Sequence, residues 1–235
     1  MGDCDECQYS TEHRCLILTN RFILINVKVY SHTEFKMTTE KKTTAIRKEQ
    51  IVEAVLHILS DNEVKKIKIS DISKYMGLAP SALYRHFKSR DAIMSAVLEH
   101  IRGSLYRNLE NVKQKTDNAL ERLKELLFLH VKLIGYRQGI PRIIFSDELW
   151  GQKRERRQKM FRIVSGYLAE IEDIVRDGQS KGQIRRNIDP QIVSKMFFGI
   201  VQPAALLWHM SEGQYDLDTH VAAAWPVFKE LLSSK

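Results

Sequence analysis

Pro80, Ser81, Ala82, Tyr84, Arg85, His86 and Lys88 crowd into residues 80–88 of the chain. They combine small side chains, hydroxyls, an imidazole and two cations. Small residues such as Ser81 and Ala82 allow close approach to base edges or to a thymine methyl. Tyr84, His86 and Lys88 suit phosphate oxygens, which fix register and orientation without reading sequence. Arg85 serves either purpose, as a fork to a guanine edge or as a phosphate contact, and the sequence leaves both open. Lys48 and Ser70 complete this candidate DNA-binding set. The alternative for Tyr84 and Phe87 is ordinary core packing. Phe87 is assigned to the core, Tyr84 to the phosphate backbone, and His86 is divided between the two.

Such a set reads DNA only if a rigid element presents it. Residues 70–87 contain two short helical patterns joined at Gly77, a residue that can take the left-handed conformation that stops a helix. Ser70 is expected to cap the first of them, with Asp71 in the first turn, where the helix dipole favours an acid. Pro80 fits the first turn of the second, where its missing N–H costs nothing. Ile72, Met76, Leu78, Leu83 and Phe87 supply an apolar wedge between the two. Ser89 is expected to cap the following helix, with Asp91 behind it and Ala92, Ile93, Ala96, Val97 and Ile101 facing inward. Before this unit, Ile51, Val55, Ile58 and Leu59 recur at helical spacing, and Asp61-Asn62 ends their pattern.

With those residues in view, positions 44–91 resemble the N-terminal domain of the TetR family of bacterial transcriptional regulators. The marks are the Gly77-Leu78 turn, the Leu83-Tyr84-x-His86-Phe87 block and the step from Lys88 to Ala92-Ile93. Asp91 stands where the family pattern more often has Glu, and both suit a helix N-terminus. The resemblance implies a three-helix DNA-binding domain, a homodimer and a ligand-responsive C-terminal bundle. It also implies that Ser81 and Ala82 face bases while Tyr84 and Lys88 face phosphates, and it favours repression over activation.

Charge agrees with a nucleic-acid partner. The 235-residue chain carries a net charge of +8. Across residues 41–90 eleven Lys and Arg stand against five acids, so most of the excess lies where phosphates would release counterions. A second basic stretch, Lys153 to Arg157, shows that charge alone proves nothing. A hydrophobic fraction of 43% excludes global disorder. No transmembrane candidate is expected, because Leu16 to Tyr30 is interrupted by polar residues and too short to span a bilayer. It also makes a poor signal peptide. A cytoplasmic protein with no membrane partner follows as the expectation.

All three cysteines, Cys4, Cys7 and Cys15, lie with His13 in the first fifteen residues. Thiolates and an imidazole at that spacing can in principle surround zinc, yet the spacing resembles no zinc module, and no metal or cofactor is assigned. Residues 1–40 are expected to be a poorly ordered extension, with Met37 as an alternative start. Residues 41–95 form the expected helix-turn-helix domain and 96–235 the ligand-binding and dimerisation domain, the border falling inside the fourth helix. Helical patterns continue at about 90–114, 117–137, 141–150, 153–181, 190–210 and 217–233, punctuated by glycines and a proline. The fold class expected is all-α.

Two surfaces are expected from the C-terminal half. His130, Leu133, Phe145, Trp150, Phe161, Phe198 and Gln202 are candidate effector contacts, suited to a small apolar or aromatic molecule. For each alone, plain core packing is the commoner role. The last two patterns are apolar on more than one face, which calls for a partner as well as a core. Met196, Ile200, Ala204, Leu207, Val221, Trp225 and Phe228 are the candidate dimer contacts, two helices from each subunit. That arrangement would set two reading heads about one DNA turn apart on a palindromic operator.

The sequence contains no H-E-x-x-H, G-x-S-x-G, P-loop or dinucleotide glycine pattern, so an enzyme is not expected. The reading is therefore a ligand-responsive regulator bound to a double-stranded operator. The alternative is an architectural protein that binds DNA without sequence preference or ligand.

Overall fold

A computed structural model describes residues 43–60, 67–136, 139–146, 149 and 154–233. The extension 1–40 with its cysteines, the Asp61-Asn62 helix end and Trp150 lie outside the described residues. Within them the regular structure is helical: α1 (Thr44–Ser60), α2 (Ile69–Met76), α3 (Pro80–Tyr84), α4 (Arg90–Lys115), α5 (Ala119–Tyr136), α6 (Gly139–Ile144), α7 (Arg154–Ser180), α8 (Pro190–Met210) and α9 (Leu217–Leu232).

Helix boundaries follow local chemistry. Ser89 accepts the Ala92 N–H at 3.1 Å and starts α4. Asn118 Oδ1 accepts the Glu121 N–H at 3.1 Å at the head of α5. Asp189 and Asp216 cap α8 and α9 through the Gln191 and Thr219 N–H groups. Each such cap satisfies a donor that the helix cannot, a contribution of roughly 1 kcal/mol.

The α2 start differs from the expectation. Ser70 lies inside the first turn, and Asp71 reaches back to accept the Lys68 N–H at 2.8 Å. Lys68 thus stands at the N-cap and Asp71, at the third helical position, closes the first turn, with the dipole contributing in the same direction.

The core runs without a break from α1 to α9. Ile51, Val55, Leu83, Val97 and Leu98 lie at the DNA-reading end, and Leu123, Leu126, Tyr167, Phe197 and Val221 further along. α1 packs on α2, α4 and α6, while α5 packs on α4, α7, α8 and α9. α6 touches both α1 and α8, and so joins the reading unit to the bundle. At Gly178 a side chain would stand 2.6 Å from Ala119 Cβ. The missing Cβ lets the start of α5 press onto α7, where Gln183 Oε1 accepts the Ala119 N–H at 2.7 Å.

Among the described helices α8 is strongly apolar. By length and mean hydropathy it could cross a membrane, although no such segment is expected from the sequence. Val193, Phe197, Val201, Ala204, Ala205 and Trp208 face the bundle. Its apolarity is that of a core helix with a second apolar face, described below.

Candidate DNA interface and effector site

The reading unit is built around a sharp turn. Gly77 has φ 62° and ψ 34°, a conformation that costs glycine little. Its turn lets the Leu78 N–H reach Ser73 O at 2.9 Å. Ala79 precedes α3, and Pro80 occupies the first turn of that helix. Leu83 and Phe87, at 1% and 7% exposure, anchor α3 in the core. α3 itself is shorter than the sequence suggests. It ends at Tyr84, and turns through Arg85 and His86 lead to the Ser89 cap.

Pro80, Ser81, Tyr84, Arg85 and Lys88 are exposed, and Ala82 and His86 are half-buried. Tyr84 leaves 52% of its surface to solvent, so its role is not core packing. His86 Nδ1 is buried with no hydrogen-bond partner. Lys48 is exposed, its ammonium 5.5 Å from the centre of the Phe87 ring. Ser70 is exposed on α2 with Lys74 one turn further on and Tyr75 beside it at 51% exposure. Lys74 and Tyr75 were missed by sequence reasoning. The four-residue step from Ser70 to Lys74 was the available signal, since it sets the two on one helix face. Arg90 Nε donates to Ile67 O at 2.8 Å, tying the first residue of α4 to the chain that enters α2.

The candidate effector residues separate into three environments. His130 is buried, its Nδ1 3.2 Å from Tyr167 Oη, in a hydrogen bond whose direction the imidazole tautomer sets. The half-buried Phe198 ring lies 6.1 Å from the His130 ring. Burial lowers the His130 pKa to about 4 and raises that of the Tyr167 hydroxyl, so both are neutral at physiological pH. This pair is a polar point in an apolar interior, able to orient a carbonyl or hydroxyl. Tyr167 was not among the candidates; its contact spans 37 positions and has no local signature.

Elsewhere, Phe145 stacks on His209 at 5.6 Å. The His209 pKa is lowered, first by burial and then by the Arg142 charge. Leu133 and Gln202 are half-buried. Phe161 is 72% exposed, so it is not part of the apolar interior in which an effector contact was expected.

The candidate dimer residues divide as well. Ala204, Val221, Trp225 and Phe228 are buried within the subunit's own core, so they are withdrawn as surface contacts. Met196 and Leu207 are exposed at 44% and 41%, and Ile200 is half-buried. The exposed apolar row on α8 also includes Ile192, Leu206 and Met210, and α9 adds Val227. His220 fixes the angle between the two helices: its Nε2 donates to Ile200 O at 3.0 Å, and its Nδ1 lies 2.9 Å from the Tyr215 hydroxyl.

A groove runs between α4 and α7, about 560 Å³ in volume. At one end the largely buried Arg156 guanidinium pairs with Asp91. Lys159 Nζ lies 3.0 Å from Glu99 and 2.6 Å from Ser95 Oγ, and Arg102 lies 3.8 Å from Glu99.

Comparison with known proteins places these parts in context. Residues 48–97 match the family described as bacterial regulatory proteins, tetR family. Residues 99–233 match the family described as YsiA-like protein, C-terminal region. The fatty acid metabolism regulator protein of Bacillus subtilis is 26% identical over 168 residues, 72% of this chain and 86% of that protein. The crystal structure of the transcriptional regulator FadR from Bacillus subtilis in complex with stearoyl-CoA superimposes with a TM-score of 0.68 at 25% identity. It covers 78% of this chain and 98% of that one. Nucleoid occlusion factor SlmA of Idiomarina loihiensis is 22% identical over 188 residues, 80% of this chain and 96% of that protein.

Proposed function

The chain belongs to the TetR family of bacterial transcriptional regulators, and we propose that it is a homodimeric repressor that leaves a palindromic operator when a long-chain acyl thioester binds. The observation that carries this reading is the course of α4. It begins beside the reading unit, at the Ser89 cap, and continues for 26 residues against α5 and α7 of the bundle. Any ligand that moves α7 or α5 relative to α4 therefore moves α3. α6, in contact with α1 and α8, offers a second route.

The thioester class is favoured by the apolar interior around His130 and Tyr167 and by the relative solved with stearoyl-CoA. In the ligand-free dimer the exposed α8 row and Val227 seal two subunits, and the recognition helices stand at the spacing of successive major grooves. Ligand lowers operator affinity only by binding the non-reading state more tightly.

The test is fluorescence anisotropy on a duplex carrying the palindrome upstream of the gene, with and without stearoyl-CoA. Operator affinity at least tenfold weaker with ligand is expected. Unchanged affinity at saturating ligand would overturn the effector assignment. The likeness to nucleoid occlusion factors keeps a second reading in play, a DNA binder without effector. Competition by unrelated duplex separates the two, because a specific repressor survives an excess of it.

A further inference from the structure

We propose that the head of α7 belongs to the DNA-binding surface: Arg154 reaches a backbone phosphate outside the set held by α3 and Lys88, and the largely buried Arg156 positions it there. The contact rests on the operator-binding reading above, and the two can fail separately.

The course of α7 along α4 carries the inference. Arg156 pairs with Asp91, and Lys159 Nζ lies 2.6 Å from Ser95 Oγ. Further along, the Tyr106 hydroxyl meets Gly166, and Lys113 Nζ lies 2.7 Å from Glu170. These contacts climb both helices in the same order, so α4 and α7 run parallel and begin at the same end. For α4 that end is the reading unit. Asp91 is its second residue, and Lys88 immediately precedes the Ser89 cap. Arg154 is the first residue of α7 and lies two residues nearer the same end than Arg156, about 3 Å along the axis. An exposed, long and permanently charged side chain therefore stands where the bundle meets the reading unit.

Charge at this end is sorted by helix face. Arg156, with its side chain 8% exposed, neutralises Asp91, the carboxylate that would otherwise oppose phosphates near the Ser89 cap. It acts as a strut, not as a contact. Glu155 turns into the groove between α4 and α7, beside Lys159. Arg154 stands about 100° round the helix from Glu155, so this acid and the exposed cation face different ways. Arg157, one turn on from Arg154, is a half-buried cation. The basic stretch Lys153 to Arg157 is described from Arg154 onward, and there it carries three cations against one acid. The positive charge of the reading unit thus continues onto the bundle instead of stopping at its border. Arg suits a phosphate, which it can grip through two N–H groups at once. With this contact made, both domains hold the duplex, and a movement of α7 loosens the DNA directly as well as through α4.

The experiment is fluorescence anisotropy of the full-length protein on operator and unrelated duplexes, between about 50 and 200 mM salt. It uses wild type, Arg154→Ala, Arg154→Lys, Arg162→Ala and Lys88→Ala, with circular dichroism and light scattering confirming fold and assembly. Arg154→Ala is expected to weaken both duplexes alike, by about fivefold at the low-salt end, the upper range for an exposed ion pair. It should also lower the slope of log affinity against log salt by about 1. Arg154→Lys should restore the slope, because the charge remains. Arg162 lies about 12 Å further from the duplex along α7, beyond the screening length of about 8 Å at physiological salt. Arg162→Ala should therefore leave the slope unchanged. An unchanged slope in Arg154→Ala, with Lys88→Ala still lowering it, would overturn the α7 contact and leave the operator-binding reading standing. Equal losses in Arg154→Ala and Arg162→Ala would also overturn it, since a diffuse field and not a contact would then be at work. No effect of either Arg154→Ala or Lys88→Ala would overturn both.

Discussion

Tyr106 lays its hydroxyl against Gly166, 2.6 Å from where a side-chain carbon at that position would stand. α4 and α7 approach each other through this bare patch of backbone, and Arg102 covers the outer face of the same tyrosine ring at 4.6 Å. Gly166→Ala is expected to push the phenol out of its site. The cost is about 1–3 kcal/mol, as for other overpacked contacts. Removing the hydroxyl in Tyr106→Phe should recover part of it in the double variant. Urea denaturation of wild type, the two single variants and the double variant measures the coupling.

Tyr84→Ala and Lys88→Ala are expected to weaken operator and unrelated duplex alike. Lys88→Ala should also reduce the slope of log affinity against log salt by about 1. Ser81 is expected to behave differently. Enlarging it to Leu should change which duplexes are bound more than how salt acts, because it faces base edges rather than phosphates. A salt series of anisotropy titrations over a small panel of operator mutants distinguishes the two patterns.

His130 makes stability depend on pH. Its pKa falls from 6.5 in the unfolded chain to about 4 in the fold because burial opposes the charged form. Between those values the unfolded chain binds a proton that the native one refuses. The stabilisation is therefore complete above pH 6.5 and is lost progressively as pH falls towards 4. In total it amounts to at most about 3 kcal/mol. His130→Gln keeps a polar partner for Tyr167 and cannot titrate, so its stability should be flatter across the same window. Chemical unfolding at half-unit pH intervals gives the comparison.

Met196→Glu and Leu207→Glu place charges on the exposed row of α8 and are expected to yield folded monomers with weakened operator binding. Phe228→Ala should act on the fold instead, at a cost of about 3–5 kcal/mol, because its ring is buried in the core and meets the Phe197 and Trp225 rings. Light scattering with a thermal melt separates loss of assembly from loss of structure.

Single-residue backbone demands were legible in the sequence. Gly77, Pro80 and Ser89 each answer a local requirement of one turn or one helix end, and all three stand where their chemistry says. Ser70 failed because α2 begins one residue earlier, at Ile69, so Ser70 stands inside the first turn while Asp71 reaches back to the Lys68 N–H. The all-α class followed from uninterrupted helical periodicity. Direction was not legible. α8 and α9 carry apolar residues on two sides, and periodicity identifies stripes without saying which one meets the subunit's own core. Hence Ala204 and Trp225 lie in the subunit's own core, while Ile192 and Met210 stand exposed. Phe161 was misread because aromatic character suggests burial, and its helix face turns outward. The His130–Tyr167 contact joins distant segments, and neither residue's neighbours announce it.

α4 is a stiff rod that spans 26 residues without interruption, a length of about 39 Å at the α-helical rise. Pivoting such a rod by about 5° carries its far end through roughly 3 Å, close to the separation of adjacent base pairs. Two of them, swung in opposite senses about a twofold axis, would move the paired heads out of step with the groove by about twice that distance. Leverage of this kind would turn a small shift at one end of the rod into a misfit on the duplex at the other.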